Sequence, residues 1–466
     1  YGLLNSPDIS GGDGLVRLNS LRVQGRYADM TSMSRINAVQ VGGEVQFEKA
    51  KIIYKDVPLS LRSGRLSLAD NLLRLDSLFL QAGNSDFNLH GNARNLLPVL
   101  FADSLNTTGS LLEFGARLHC NQLDLTQLID LFSVEETDVD GGQEKLDSLR
   151  TAGNLERQQL TDKLQGVFEA TIGHIQYEKI GIDQFFGRLA FDHNKLVING
   201  DAKTMRGQVN LEGIAYFAIR PTLQIRITAE NIDLQTCFEQ SNNFGQSVVT
   251  DKNLRVQLSG RIVLWAFWNE RNEFLLDKLR AFADVYAANG QLRNLKMLED
   301  FSSFVHIEDL RDIRFINLQN YLEINGGTLY LPVMFIQNNA LNMTLSGEHT
   351  FENKIDYKIK VNVGQTLWSK VKKHDPDFEP LPKKSGWFNA FYSIVGTIDE
   401  YEMIKGKRTV KAAFEASEAR KRVIAEAIER EFAGGAYRRP PAPPEDEFLD
   451  EIIGGSGRPG AVKVGQ

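Results

Sequence analysis

Two stretches of this chain repeat each other without a gap, and this repetition constrains the fold more than any other feature. Residues 54–75 (YKDVPLSLRSGRLSLADNLLRL) align with residues 177–198 (YEKIGIDQFFGRLAFDHNKLVI) at a constant offset of 123 residues. The identical pairs are Tyr54/Tyr177, Gly64/Gly187, Arg65/Arg188, Leu66/Leu189, Asn71/Asn194 and Leu73/Leu196. Antiparallel sheets can produce such patterns by chance, but six identities in 22 gapless positions favour duplication. One unit of this kind cannot bury its own apolar face, so the repeat predicts a stacked β array.

Apolar and polar residues alternate along most of residues 11–363, with Gly, Asn and Asp at the interruptions. A period of two residues is typical of strands with one apolar face, and the interrupting residues favour hairpin turns. Each unit closes with a strand that ends in glycine, at Gly91, Gly213 and, in a looser third copy, Gly347. The sequence therefore predicts a mainly β fold of short antiparallel strands, built from repeats.

Composition divides the chain into six segments. They are a first β-repeat unit (1–133), a polar linker (134–163), a second β-repeat unit (164–288), a C-terminal β unit (289–400), an amphipathic helix (401–433) and a disordered Pro-rich, acidic tail (434–466). The helix prediction rests on residues 407–433, whose modest apolar stripe at helical spacing is interrupted by Ser417 and Lys421. Residues 366–396 hold Pro, Lys and aromatic residues, and we expect an irregular excursion there.

Charge and cysteine content exclude several classes of function. The net charge is −7, from 53 basic and 60 acidic residues spread along the chain, whereas a nucleic-acid-binding surface needs a basic face. Two cysteines without CxxC or Cys/His spacing argue against a zinc site or a disulfide framework. We find no apolar run long enough to span a bilayer. The chain opens YGLLNSPD without Met, so we expect it to begin within a longer protein, and an upstream anchor or targeting segment would then lie outside this sequence.

Motifs for catalysis, metal binding or cofactor binding are missing from the sequence. The histidines are scattered, at His90, His119, His174, His193, His306, His349 and His374. Nucleophile-elbow, P-loop and HExxH patterns do not occur. The DVDG stretch at 138–141 lacks the spaced acids of a calcium loop, which favours a solvated turn. We therefore expect a protein that is not an enzyme and holds no metal and no cofactor.

The order of features from Asn289 onward resembles the C-terminal region of the AsmA-like family of Gram-negative envelope proteins. An Asn-Gly turn leads into a Leu-rich segment, an L-x-x-I-x-F step follows, one strand ends in Asn-Gly-Gly, another reads ALNMTLSG, and the last reads KIDYKIKV. These features lie at 289–298, 310–315, 325–327, 340–347 and 354–361. The duplicated units upstream fit the same family.

This resemblance implies a long, curled antiparallel sheet, open on one side, with an apolar inner groove. It implies a periplasmic protein anchored in the inner membrane by an N-terminal helix, and larger relatives are thought to carry phospholipid between membranes. Phospholipid acyl chains would be the ligand, and the C-terminal helix or tail would hold an outer-membrane or periplasmic protein. The alternative is an envelope scaffold or assembly factor that acts through protein contacts. A glycan-binding array is disfavoured because the four tryptophans are not periodic.

The alternating positions of the three units are the candidate lining of the groove. They are Leu66, Leu68, Leu73, Leu75, Phe87 and Leu89 in the first unit, Leu189, Phe191, Leu196, Ile198, Val209 and Leu211 in the second, and Leu329, Leu331, Leu341, Met343 and Leu345 in the third. A closed core, filled by the protein's own side chains, would bury the same positions. Both interpretations stay open at this point.

Overall fold

In a computed structural model, described residues fall into fourteen stretches and two compact units. The stretches are 9–30, 39–54, 57–69, 72–95, 111–132, 162–245, 249–270, 273–295, 299, 307–315, 317–340, 342–362, 389–397 and 400–433. Unit 1 comprises residues 1–227 and 265–275, and unit 2 comprises 228–264 and 276–466. Both copies of the 22-residue repeat therefore fall in unit 1. Most of the expected linker, the DVDG stretch and the expected tail lie outside the described residues.

The described residues of unit 1 include ten complete strands, and from β1 to β10 each strand pairs with the next along the chain. They are β1 (Ile9–Gln24), β2 (Gln40–Tyr54), β3 (Val57–Ala69), β4 (Leu72–Ala82), β5 (Ser85–Arg94), β6 (Leu112–Asp124), β7 (Leu164–Tyr177), β8 (Ile180–Asp192), β9 (Lys195–Thr204) and β10 (Gly207–Tyr216). Short helices α1 (Tyr27–Met30) and α2 (Leu125–Phe132) follow β1 and β6. All these pairings are antiparallel except that of β6 with β7, which is parallel.

The two copies of the repeat form the same hairpin. In the first copy, Leu66 pairs with Leu75 and Leu68 pairs with Leu73 across β3 and β4. The second copy has the same pairs at the offset of 123 residues, Leu189 with Ile198 and Phe191 with Leu196, across β8 and β9. The repeat predicted from the sequence is therefore confirmed at the level of strand register.

One extra residue in β4 explains why the copies drift apart beyond the hairpin. Gly91 and Gly213, which the sequence predicts at the ends of the closing strands, lie inside β5 and β10, so that prediction is wrong. They are 122 residues apart rather than 123. The register of β4 with β5 shifts between Leu75 and Leu78, whereas the equivalent β9–β10 register is unbroken. A β-bulge accommodates one extra residue in this way.

Unit 2 is built from antiparallel strands and a long helix. Its strands are β13 (Arg280–Arg293), β14 (Asp312–Phe315), β15 (Leu318–Asn325), β16 (Thr328–Ile336), β17 (Met343–Thr350), β18 (Lys354–Asn362), β19 (Asn389–Thr397) and β20 (Tyr401–Lys405), and its helices are α3 (Leu234–Gln240), α4 (Ile307–Arg311) and α5 (Lys407–Glu431). Two further strands, β11 (Thr222–Asp233) and β12 (Leu254–Phe267), include residues of both units. From β15 to β20 each strand pairs with the next, and β13 pairs with both β14 and β15.

Helix α5 packs on one side of the unit 2 sheet through a stripe that is not wholly apolar. Val410 and Phe414 are fully buried against Val333 and Phe391. Ser417 and Lys421, which interrupt the stripe, form hydrogen bonds with the backbone of Val333. The β16–β17 register shifts at this point, between Leu331 and Met334. The Val333 amide donates to the Ser417 hydroxyl at 2.8 Å, and the Lys421 ammonium donates to the Val333 carbonyl at 2.9 Å. A buried backbone group that leaves the strand ladder must find such a partner.

The mainly β antiparallel fold with a C-terminal helix is confirmed, with three corrections of detail. Residues 389–397 form β19, so the expected irregular excursion is wrong at that end. Its central residues, Phe391 to Ile394, are buried on both faces of the strand, which removes the visible alternation there. Residues 401–405 form β20, so the helix begins only at Lys407. The strands of unit 1 are long, 10 to 16 residues, rather than short as expected. Bulges let a strand continue through irregular positions, such as Gln184 in β8 with φ 50°.

Candidate functional site

Strand register places all twelve candidate lining residues of the first and second units on one face of unit 1. Beyond the two hairpins, Phe87 pairs with Leu80 and Leu89 pairs with Leu78. The same face continues through Leu118, Ala170 and Gly187, which follow Leu89 in successive pairings across β6, β7 and β8. It ends with Val209 and Leu211 opposite Ala202 and Gly200. We call this surface of β2–β10 the apolar face.

The apolar face also contains side chains that the sequence analysis missed. Leu78, Leu80, Phe114, Leu118, Phe168 and Phe185 belong to it by register. The bulge in β4 adds one residue between Leu75 and Leu78. Strict alternation counted from Leu73 and Leu75 would therefore place Leu78 and Leu80 on the opposite face, whereas the strand register places them on the apolar face. The β6 and β7 residues lie outside the repeated hairpin, although their own period-two pattern of apolar residues could have identified them.

Glycines on the apolar face provide room for aromatic rings. A Cβ on Gly187 would lie 2.4 Å from the ring of Phe185, two residues earlier in β8. A Cβ on Gly166 would lie 2.8 Å from the ring of Phe114, which also meets Phe191 at a centroid distance of 5.7 Å. Rings therefore lie flat across the backbone and keep the face continuous where side chains are absent.

A methyl group at Gly187 should destabilise unit 1. We expect Gly187→Ala to lower the free energy of unfolding by about 1–3 kcal/mol, because the new Cβ overpacks against the Phe185 ring. The matched control is Gly115→Ala, in β6 on the opposite face, where the nearest neighbour to the new Cβ is 3.8 Å away. Chemical denaturation measures both. Equal losses for the two variants would contradict this account of the ring packing.

The opposite face of unit 1 is mainly polar, although Phe79 and Phe186 are exposed on it at 41% and 54%. Ion pairs cross it between neighbouring strands, such as Arg117 with Glu169 at 3.2 Å and Arg65 with Glu44 at 3.3 Å. Two shallow depressions of 360 and 610 Å³ lie on it around Gly115. Their lining mixes charged side chains, such as Arg117, Glu169 and Arg94, with apolar ones such as Leu72 and Val167. Unit 1 therefore has one mainly polar and one apolar surface.

Helix α2 closes one edge of the apolar face. Leu125 and Leu128 pack against a buried cluster that includes Cys120, Ile172 and Ile175. Hydrogen bonds fix the helix to neighbouring turns: Gln127 Oε1 accepts from the Asn84 amide at 2.9 Å, and the Thr126 hydroxyl accepts from the Glu178 amide at 2.6 Å. Burial raises the pKa of the Cys120 thiol to about 11, which keeps it protonated and inert. We call this side the closed edge.

The other edge of the apolar face is less covered in the described part of the chain. Leu68, Leu73, Phe114 and Phe191 lie near this edge and are half-buried, and only Leu196 beside them is buried. Backbone hydrogen bonds connect its loops, from the Leu112 amide to the Lys163 carbonyl at 2.7 Å and from the His193 amide to the Leu164 carbonyl at 2.9 Å. We call this side the open edge. Large apolar side chains there keep part of their surface accessible.

In unit 2 the candidate lining residues surround a filled core. Met343 is buried in a cluster with Ile359 and Ile394, and Leu345 packs against it. Leu310 from α4 and Ile313 from β14 belong to the same cluster, so the protein's own residues cover this face. Leu329 and Leu331 are half-buried in β16, and Leu341 lies outside the described residues. Of the four described candidates in unit 2, Met343 is buried, whereas Leu329, Leu331 and Leu345 are half-buried like most candidates of unit 1. The difference between the units is that Met343 belongs to a core completed by residues of α4 and β14.

The described residues hold no group of three or more His, Cys, Asp or Glu side chains that could share a metal ion. His174 pairs with Asp183 at 2.7 Å, and this hydrogen bond raises the pKa of His174. His193 pairs with Asp192 in the exposed β8–β9 turn at 2.9 Å. Each is a two-residue surface pair. Of the helices in the described ranges, none has both the length and the hydropathy needed to cross a bilayer.

Searches of protein-family models, curated proteins and solved structures found no match to this chain.

Proposed function

We propose that this protein is a non-enzymatic carrier that binds phospholipid acyl chains on the apolar face of unit 1 and conducts them along it. The observation that carries the proposal is a continuous apolar face over β2–β10 whose large side chains remain half-buried at the open edge. A sheet with its own sealed core would cover these side chains as unit 2 covers Ile359 and Ile394.

Energetics support a continuous surface rather than one deep pocket. Exposing acyl chains to water costs about 0.8 kcal/mol per CH₂ group, or on the order of 20 kcal/mol for the two chains of a phospholipid. A continuous apolar face offsets this cost at every position along the sheet, so a bound lipid is not held much more tightly at one position than at the next. Equivalent residues in the two repeats, such as Leu68 and Phe191, provide the lipid with similar apolar contacts at two positions along the face.

The proposed setting is the periplasm of a Gram-negative cell, where phospholipid moves between inner and outer membranes. An inner-membrane anchor and a role in outer-membrane lipid homeostasis follow from the resemblance to AsmA-like proteins. This part of the proposal rests on the order of features after Asn289. The apolar face supports the ligand class, and the resemblance supports the compartment.

Native mass spectrometry of protein purified without detergent tests the proposal. We expect phospholipid to remain bound, in an amount that falls when the apolar face is altered. Lipid-free protein from a phospholipid-rich membrane fraction would contradict it. Delipidated protein that takes up no phospholipid from vesicles would contradict it as well.

Strand β1 favours a second candidate function, an envelope scaffold that holds a protein by strand addition. All residues of β1 from Gly12 to Gln24 are exposed, including Leu18 and Leu21 at 65% and 66%. A long exposed strand with apolar side chains is a template for a further strand. Purified protein that lacks phospholipid but retains a stable protein partner, lost on replacing Leu18 and Leu21 by Lys, would favour this second function.

A further inference from the structure

Two loops at the open edge of unit 1 display a cluster of exposed aromatic and aliphatic side chains. The described residues of these loops are 216–221, 267–270 and 273–275, and we call them the tip. Tyr216, Ile219 and Phe274 are 49%, 45% and 46% exposed, and Trp268 is half-buried beside them. Surface clusters of large apolar side chains on soluble domains are uncommon, and they mark contact sites for membranes or proteins.

The tip is held in a fixed conformation. The Trp268 amide donates to the Pro221 carbonyl at 3.1 Å, which joins the two loops, and the Leu275 amide donates to the Phe267 carbonyl at 2.9 Å. The rings of Trp268 and Phe274 meet at a centroid distance of 5.6 Å. The side chains are therefore presented in advance, and contact with a partner costs little conformational entropy.

Charges at the described part of the tip are paired locally. Arg220 donates to Glu270 at 2.8 Å, and Asn269 Nδ2 donates to the Glu273 carboxylate at 2.6 Å. With Arg271, which lies between the two glutamates in the sequence, the two loops hold two basic and two acidic residues and have no excess of positive charge. Net charge therefore gives the tip no preference for an anionic surface.

The tip adjoins the apolar face at the open edge. The Phe217 amide donates to the Asn194 carbonyl at 2.8 Å, which connects the first loop to the β8–β9 turn. One residue earlier than Tyr216, Ala215 pairs with Leu196, which pairs with Phe191 of the apolar face. Tyr216 itself pairs with Lys195 and lies on the opposite face of the sheet, so the tip borders the apolar face at this edge.

We propose that the tip docks unit 1 on the interface of a zwitterionic phospholipid bilayer. Tyr and Trp rings favour the headgroup level, whereas Phe and Ile side chains enter the acyl boundary. Four such side chains are few for a protein partner, because a stable protein interface takes about 20–30 residues from each side. They suffice for reversible membrane contact. The purpose of docking, transfer of acyl chains to the apolar face, rests on the proposed function, but the docking itself does not.

Vesicle flotation with the full chain tests the proposal, with vesicles of pure phosphatidylcholine as the probe. We expect wild-type protein to float with the vesicles and to do so equally at about 0.5 M salt, since no charge attraction contributes. The double variant Ile219→Ser/Phe274→Ser should partition to vesicles at least about tenfold less, because it loses two exposed apolar side chains. A control, Phe351→Ser/Val423→Ser, removes two exposed apolar residues of unit 2 and should leave flotation unchanged.

Bound phospholipid, measured by native mass spectrometry on the same samples, separates this proposal from the proposed function. The tip variant should retain its bound lipid while it loses flotation. Wild-type protein that does not float, floats only with anionic vesicles, or floats as well after the tip substitutions would overturn the docking proposal. None of these results affects the lipid content that tests the carrier function.

Discussion

The double variant Leu68→Asp/Phe191→Asp is expected to purify as folded protein that has lost at least about nine-tenths of its bound phospholipid. Both side chains lie on the apolar face near the open edge, at equivalent positions of the two repeats. An ionised carboxylate beside an acyl chain costs several kcal/mol, which exceeds what a few CH₂ contacts contribute. Without lipid, the half-buried carboxylates can hydrate, so the protein itself should stay folded. Native mass spectrometry and circular dichroism measure the two quantities.

The matched control places the same charges on the opposite face. Ser67→Asp/Ala190→Asp changes the residues immediately before Leu68 and Phe191, and these side chains are also half-buried. We expect this control to keep its phospholipid. If Leu68→Asp/Phe191→Asp unfolds while the control does not, the apolar face is a closed core. The carrier proposal would then fail.

Truncation of Phe414 should strongly destabilise unit 2. Phe414 is fully buried between helix α5 and the unit 2 sheet, where it contacts Val333 and Phe391. Replacement by Ala leaves a cavity, and large-to-small changes of this kind cost about 3–5 kcal/mol. Thermal and denaturant unfolding should both report the loss.

Val423 on the same helix provides the control for Phe414. It is 63% exposed, so Val423→Ala should change the free energy of unfolding by less than about 0.5 kcal/mol. Similar effects from the two substitutions would mean that helix α5 is not packed on the sheet as described. The expected difference also separates loss of packing from a general effect on helix propensity.

Period-two alternation and the 123-residue repeat predicted the strands of unit 1 and the side on which their apolar residues lie. Side-chain direction alternates strictly along a strand, so the spacing of Leu66 and Leu68 fixes their common face. Equal spacing in the second copy fixes Leu189 and Phe191 in the same way. Local rules of this kind need no knowledge of distant contacts.

Features that depend on distant contacts could not be predicted from the sequence. The bulge that shifts Leu78 and Leu80 changes the spacing only within β4. Parallel pairing of β6 with β7 requires the chain to return from the end of β6 to the opposite end of the pair, where β7 starts. No local sequence pattern predicts that connection. In the sequence, Ser417 and Lys421 only interrupt an apolar stripe. In the structure, their side chains form hydrogen bonds with the backbone of Val333 at the irregularity in strand β16.

Sequence alternation alone also could not tell a covered face from an accessible one. Met343 in unit 2 and Leu189 in unit 1 occupy the same kind of position in an alternating strand, but Met343 is buried and Leu189 is half-buried. Met343 belongs to a core completed by Leu310 and Ile313. Those two residues come from a helix and a short strand that lie some thirty residues before it in the chain. Coverage is a property of such distant elements, so it follows only from the fold.

Site-specific photo-crosslinking to phospholipid tests the central claim most directly. A photoreactive amino acid would be placed at positions 67, 68, 190 and 191 in turn, and illuminated in protein that carries its own lipid. Positions 68 and 191 should attach phospholipid, and positions 67 and 190 should not, because neighbouring residues of a strand face opposite sides. Lipid attachment without this alternation, or at none of the four positions, would contradict the assignment of the apolar face as the lipid-binding surface.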